Sequence, residues 1–152
     1  MRPFSRRHAL AALGATGAAL AMTGWSDGAL ATVQEAADEI AKFTGGKAPV
    51  KGRITIELPE IAENGNTVPI SVDVASAMEG DDMVDAVLIL ADGNPRPEVA
   101  TFHFTAMSGS AAATTRMRLA RTQNVIALAR MADGSVYMDK KEVKVTIGGC
   151  GG

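Results

Sequence analysis

The strongest constraint on this 152-residue chain is a period of two that begins at Arg53 and recurs almost to the end. In "RITIEL", Ile54, Ile56 and Leu58 alternate with Arg53, Thr55 and Glu57; in "VPISVDV", Val68, Ile70, Val72 and Val74 alternate with Pro69, Ser71 and Asp73. Successive side chains of a strand point to opposite faces, so this pattern describes strands buried on one side. "VATFHFTA" and "ATTRMRLAR" repeat it, with Phe102 and Phe104 opposed to His103, and Met117 and Leu119 opposed to Arg116 and Arg118. "MVDAVLIL" is instead almost continuously apolar and reads as a central strand, and "NVIALARM" and "SVYMDKKEVKVTI" follow it. Turn chemistry separates the runs at Asn64-Gly65, at Asp92-Gly93 with its two following prolines, and at Asp133-Gly134. "PEIAENGNTVP" reads as a connecting loop or hairpin end, and "SGSAAATT" as a loop leading into a strand. Only 4% of the residues are aromatic, so the core has to be built from Val, Ile, Leu, Met and Ala. Six to eight short strands with one helix in front predict a mainly β chain, an immunoglobulin-like antiparallel β-sandwich over residues 32–147.

The N-terminal region is a different text. Arg2, Arg6 and Arg7 precede the nearly charge-free "ALAALGATGAALAMTGW", and Ala29-Leu30-Ala31 offers the small residues a signal peptidase reads. Residues 1–31 are therefore expected to be a cleaved export signal. The stretch is too weakly hydrophobic and too short for the roughly 20 strongly apolar residues of a membrane span. "SRRHAL" resembles the twin-arginine export motif through Ser5, Arg6, Arg7 and Leu10, and departs from it at Ala9 and Ala11, which leaves Sec export open. No cysteine lies near the cleavage region, so no lipid anchor is expected. Cleavage would leave twelve basic and sixteen acidic residues, a net charge of −4, on a periplasmic protein. Beyond the signal, Thr32 and Glu35 have the spacing of a capping box. Val33, Ala36, Ala37, Ile40 and Ala41 recur at helical spacing, and Gly45-Gly46 ends the pattern.

No basic run lies outside the extreme N-terminus, which argues against a nucleic-acid partner. His103 is the only histidine after the signal, too few for a zinc or copper site. Glu79, Asp81, Asp82 and Asp85 lack the spacing of a calcium loop and read as a solvated loop. The methionines are scattered as core filler, and neither a phosphate loop nor a serine elbow is present. No catalytic constellation, metal or cofactor is expected of the body.

The chemistry then rests on Cys150, the only cysteine, third from the end in "TIGGCGG". Periplasmic cysteines normally pair, and a single one cannot staple its own chain. Two glycines on each side oppose burial, because glycine loses the most backbone entropy on ordering. Nothing adjacent lowers the thiol's ordinary pKa of about 8.5, and a glycine arm holds no fixed base or oxyanion site. What such an arm offers is reach. Three extended steps from Ile147 amount to roughly 10 Å, with no side chains to obstruct entry into a narrow channel. The residues therefore read as a thiol handle, Cys150, on a mobile arm of Gly148, Gly149, Gly151 and Gly152, delivered into other proteins' active sites.

The terminal "GGCGG" after "VKVTI", with "ENGNTVPISVDV", "ADGNPRPEVATFHFT" and "TRMRLARTQNVIALARMADGS" in the body, resembles the SoxY family of sulfur carriers. The resemblance covers essentially the whole chain after the signal. It implies that Cys150 carries sulfur intermediates of thiosulfate oxidation covalently, and that the chain forms a heterodimer with SoxZ. It further implies transient contact with the SoxAX cytochrome, which joins thiosulfate to the cysteine oxidatively; with the SoxB hydrolase, which releases sulfate; and with a sulfur dehydrogenase, which oxidises the remaining sulfane sulfur. The carrier would hold no metal or haem and would not be an enzyme by itself. The alternative on the residues alone is a periplasmic interaction module whose cysteine forms an intermolecular disulfide. A cytoplasmic carrier using its terminal carboxylate is opposed by the export signal, and an enzyme acting alone by the missing base.

Overall fold

In the structure, a computed structural model, residues 27–149 are described. The export-signal arginines Arg6 and Arg7, and Cys150, Gly151 and Gly152, lie outside the described residues. The chain divides at Leu30/Ala31 into two units, and the sandwich belongs to the second. Its elements are α1 (Asp27–Thr44), β1 (Ile54–Glu57), β2 (Ile61–Asn64), β3 (Val68–Val74), β4 (Val84–Ala91), β5 (Glu98–His103), β6 (Ala111–Met117), β7 (Gln123–Met131) and β8 (Val136–Ile147), with single 3-10 turns at Gly80–Asp82 and Ala106–Ser108. They form a three-stranded sheet, β1-β3-β6, and a five-stranded sheet, β2-β8-β7-β4-β5. This is the immunoglobulin-like sandwich that the alternating pattern predicts.

The alternation is realised most fully in β3, where Val68, Ile70, Val72 and Val74 are buried and Pro69 and Asp73 are exposed. The continuous run in β4 has a different cause. Val87, Ile89 and Ala91 pack between the sheets with Val125, Ala127 and Val143, while Leu88 and Leu90 point the other way and pack with Ile126, Leu128 and Val136. Ile40 and Phe43 of α1 cover that second cluster. β4 is therefore buried on both faces, and its sequence carries no polar alternation.

Three expectations are corrected. "PEIAENGNTVP" is not only a connection: Ile61–Asn64 forms β2, which pairs in parallel with β8, Ile61 opposite Lys144 and Asn64 opposite Ile147. It is the one parallel pair among the named strands, and its partner lies more than eighty residues away, so no hairpin signal announces it. The helix begins at Asp27, which places Thr32 inside it rather than at its start. Its packed stripe is Ala36, Ile40 and Phe43, at helical spacing, while Val33, Ala37 and Ala41 are exposed. Gly45 and Gly46 close it as expected, at φ 62° and 81°, with the Gly46 amide donating to the Ala41 carbonyl at 3.2 Å. Lastly, the acidic segment is not simply solvated. Asp82 pairs with Arg53. Asp85 accepts from Arg130 at 2.9 and 2.6 Å, and the same guanidinium lies 5.1 Å above the Phe43 ring.

Candidate functional site

The expected site is the end of the chain, and the described residues reach Gly149, one residue before Cys150. β8 delivers the chain there. Its last residues lie beside β2, and the Gly65 amide continues that ladder by donating to the Ile147 carbonyl at 2.8 Å. The loop between β6 and β7 closes over the same point. The Leu119 amide donates to the Gly65 carbonyl at 2.8 Å, and the Gly149 amide donates to the Leu119 carbonyl at 2.9 Å. Three segments distant in sequence thus pass their backbones around one another. Leu119 anchors the arrangement, being fully buried in the inter-sheet core.

Backbone crossing this close leaves no room for side chains. A Cβ at Gly65 would lie 2.2 Å from the Leu119 oxygen and 2.6 Å from the Gly149 nitrogen. One at Gly148 would lie 2.1 Å from the Ala120 oxygen, and one at Gly149 would lie 2.8 Å from the Gly65 oxygen. Gly65 is not among the glycines with positive φ, so what demands glycine there is close approach rather than turn geometry. Gly148 and Gly149, expected as the start of the mobile arm, are packed against the domain, and Gly149 is buried. In the sequence Gly65 reads only as half of a turn signal, and nothing there connects it to the tail.

A second network holds the β6–β7 loop. The Asn94 side chain donates to the Arg118 carbonyl at 2.8 Å and accepts from the Ala120 amide at 3.0 Å and from Gln123 Nε2 at 2.9 Å. Gln123, itself buried, accepts from the Gly93 amide at 2.6 Å. Thr122 Oγ1 accepts from the Val145 amide at 3.0 Å. The turn after β4 and the loop after β6 are thereby fixed to one another and to β8.

His103 sits exposed on β5. Among the described residues no group of three or more His, Cys, Asp or Glu could hold a metal ion, and no helix is long and apolar enough to cross a membrane.

Fold and tail together define a β-sandwich whose C-terminal strand hands its end to a glycine-lined seat. The model of the family described as "Sulfur oxidation protein SoxY" matches residues 40–150, and the chain belongs to that family. It is similar to a solved structure of the sulfur carrier protein SoxY from Chlorobium limicola f thiosulfatophilum, at 29% identity and a TM-score of 0.63, covering 75% of this chain and 94% of that one. Superoxide reductases share the fold alone. Those from Ignicoccus hospitalis (16% identity, TM-score 0.52, covering 62% of this chain and 80% of that one) and Nanoarchaeum equitans (17%, 0.51, covering 64% and 96%) are two of them. No curated protein matches the sequence.

Proposed function

We propose that this chain is a periplasmic carrier of sulfur intermediates in thiosulfate oxidation, with Cys150 as the attachment point. The observation that carries the reading is the seat of Gly65, Leu119 and Gly149, which brings the backbone to a defined point one residue before the only thiol in the sequence. Membership of the SoxY family and likeness to a sulfur carrier support it.

Loading joins the thiol to the sulfane sulfur of thiosulfate. A new S–S bond forms, the thiol proton leaves, and two electrons pass to a haem partner of the SoxAX kind. Hydrolysis by a SoxB-type partner then cleaves the S–S bond to the sulfonate group with one water, giving sulfate and leaving a deprotonated persulfide on Cys150, with two protons released. A dehydrogenase partner oxidises the remaining sulfane sulfur. The carrier contributes the thiol, its presentation and its release, in heterodimer with a SoxZ-type subunit, and is not itself the enzyme. Gly151 and Gly152 complete the side-chain-free arm around Cys150.

The test is an intact mass of the protein from thiosulfate-grown cells, isolated without reductant and then reduced. Reducible additions of sulfane, sulfonate or thiosulfate mass on the C-terminal peptide, absent from Cys150→Ser, are the expected result. A clean thiol would overturn the reading. A disulfide-linked dimer alone would replace it with an interaction module.

A further inference from the structure

Arg96, Arg116 and Arg118 line a cavity of about 300 Å³ together with Asn94, Val99 and Met117. Arg96 comes from the β4–β5 turn, between Pro95 and Pro97, and the other two from β6 and the residue just past it. The period of two puts Arg116 and Arg118 on the same outer side, because Met117 and Leu119 between and beyond them are buried at 4% and 0% exposure. Among the described residues, none of the three guanidinium groups lies within 4.0 Å of a carboxylate. Arg116 makes one long bond, 3.4 Å, to the Thr67 hydroxyl. Glu98 also borders the cavity, and its carboxylate accepts from Thr101 at 3.1 Å. Three cations and one carboxylate therefore border a shared cavity, on loops already locked together through Asn94, while Arg96 and Glu98 also border a neighbouring depression with Glu35 and Glu39.

We propose that this cavity is a receptor for a tetrahedral sulfur oxyanion. The inference rests on the carrier reading and adds the ligand's binding place. Guanidinium groups donate in a planar fork that matches two oxygens of such an anion, and a site held by cross-tied loops binds with little ordering cost. The position suits the task. Arg118 adjoins Leu119, whose carbonyl holds Gly149, and the residue after Gly149 is Cys150. Arg116 reaches Thr67, two residues beyond Gly65. The cavity and the tail seat share the β6–β7 loop, which carries Arg118 and Leu119 side by side, so the anionic head of a tail-borne adduct has a cationic surface near its point of departure.

The experiment is an NMR titration of the isolated protein carrying Cys150→Ser, which cannot be loaded covalently, with sodium thiosulfate and with sodium sulfate at constant ionic strength. Saturable shifts confined to residues 94–99 and 116–120 are expected, weakened about tenfold or more in Arg96→Gln/Arg118→Gln and unchanged in the remote Lys141→Gln. Shifts that never saturate, or equal affinity in all three proteins, would overturn the proposal while leaving carriage on Cys150 standing. The same titration on wild-type protein S-sulfonated at Cys150 separates two sources of the anion. Loss of sulfate binding there assigns the cavity to the carried adduct, and persistence assigns it to the free oxyanion.

Discussion

The Gly149 amide is bonded to the Leu119 carbonyl at 2.9 Å, so the residue just before Cys150 is fastened to one buried in the core of the sandwich. Glycine at 148 and 149 is thus demanded by contact with the domain, in addition to whatever freedom it gives the chain. The bond to Leu119 is a single backbone hydrogen bond, worth about 0.5–1.5 kcal/mol net. Releasing it would lengthen the reach of Cys150 at small cost, whereas keeping it fixes the point from which the thiol departs.

Gly65→Ala should open this seat, because its methyl would have to lie against both the Leu119 oxygen and the Gly149 nitrogen. Overpacking of this kind costs about 1–3 kcal/mol. The expected result is a lower urea midpoint together with faster hydrogen exchange at Gly149 than in the parent protein, while amides of β4 keep their relative protection. Unchanged exchange at Gly149 would mean that the bond to Leu119 is not held in solution.

Gly148→Ala tests the same seat from the tail side. Its Cβ would meet the Ala120 backbone oxygen at 2.1 Å, and a backbone atom cannot swing away as a side chain can. Gly148 is itself exposed and follows the last residue of β8, so the clash can be relieved by displacing the tail alone; thermal unfolding should change little while the Gly149 amide loses protection. Sulfur loading measured by intact mass would then show whether departure from a fixed point matters to the partner enzymes.

Asn94→Ala removes one acceptor and one donor shared by three groups: the Arg118 carbonyl, the Ala120 amide and Gln123 Nε2. Gln123 keeps its bond to the Arg121 carbonyl at 3.1 Å, so the loss is partial, about 1–3 kcal/mol for the groups left unmatched. Denaturant unfolding should show that loss. Oxyanion binding by the arginine-lined cavity should weaken with it, because the two loops that present Arg96 and Arg118 are no longer tied.

The strands were legible wherever burial is one-sided, as in β3, and the apolar run of β4 announced a strand covered on both faces. β2 was hidden for two reasons. Its Ile61 is exposed, at 59%, so no alternating burial marks it, and its partner is a parallel strand at the far end of the chain. The start of α1, at Asp27, is not legible because Thr32 and Glu35 satisfy a capping pattern that the longer helix does not use. At the site, sequence identified the terminal glycines and Cys150, whose roles rest on the mass experiment. It could not reveal the seat, since backbone-to-backbone bonds among residues 65, 119 and 149 leave no side-chain signature other than glycine itself. The three arginines were visible as charges, but only the fold brings Arg96 to Arg116 and Arg118.

The last prediction concerns pH and the segment before β4. Among the described residues, Arg53 and Met78 are the non-glycine residues with positive φ, at 62° and 56°, a conformation that costs energy for such side chains. Asp82 joins them. Its carboxylate accepts from the Ala77 amide at 2.7 Å and pairs with Arg53, and its backbone carbonyl accepts from the Ser76 hydroxyl, whose oxygen receives the Met78 amide at 2.9 Å. The Ala77 amide first, and Arg53 second, hold the Asp82 carboxyl below its ordinary value of 3.8. A depressed folded-state value means the folded protein binds the proton less readily than the unfolded chain does. The stabilisation is therefore fully present above about pH 5 and is lost as pH falls below 3.8 through the folded value. Asp82→Asn should accordingly lower the urea midpoint at about pH 6, and the gap between variant and parent should narrow as pH falls below 3.8 through the folded value. A gap that stayed constant across that range would assign the effect of the variant to lost packing rather than to the charge of Asp82.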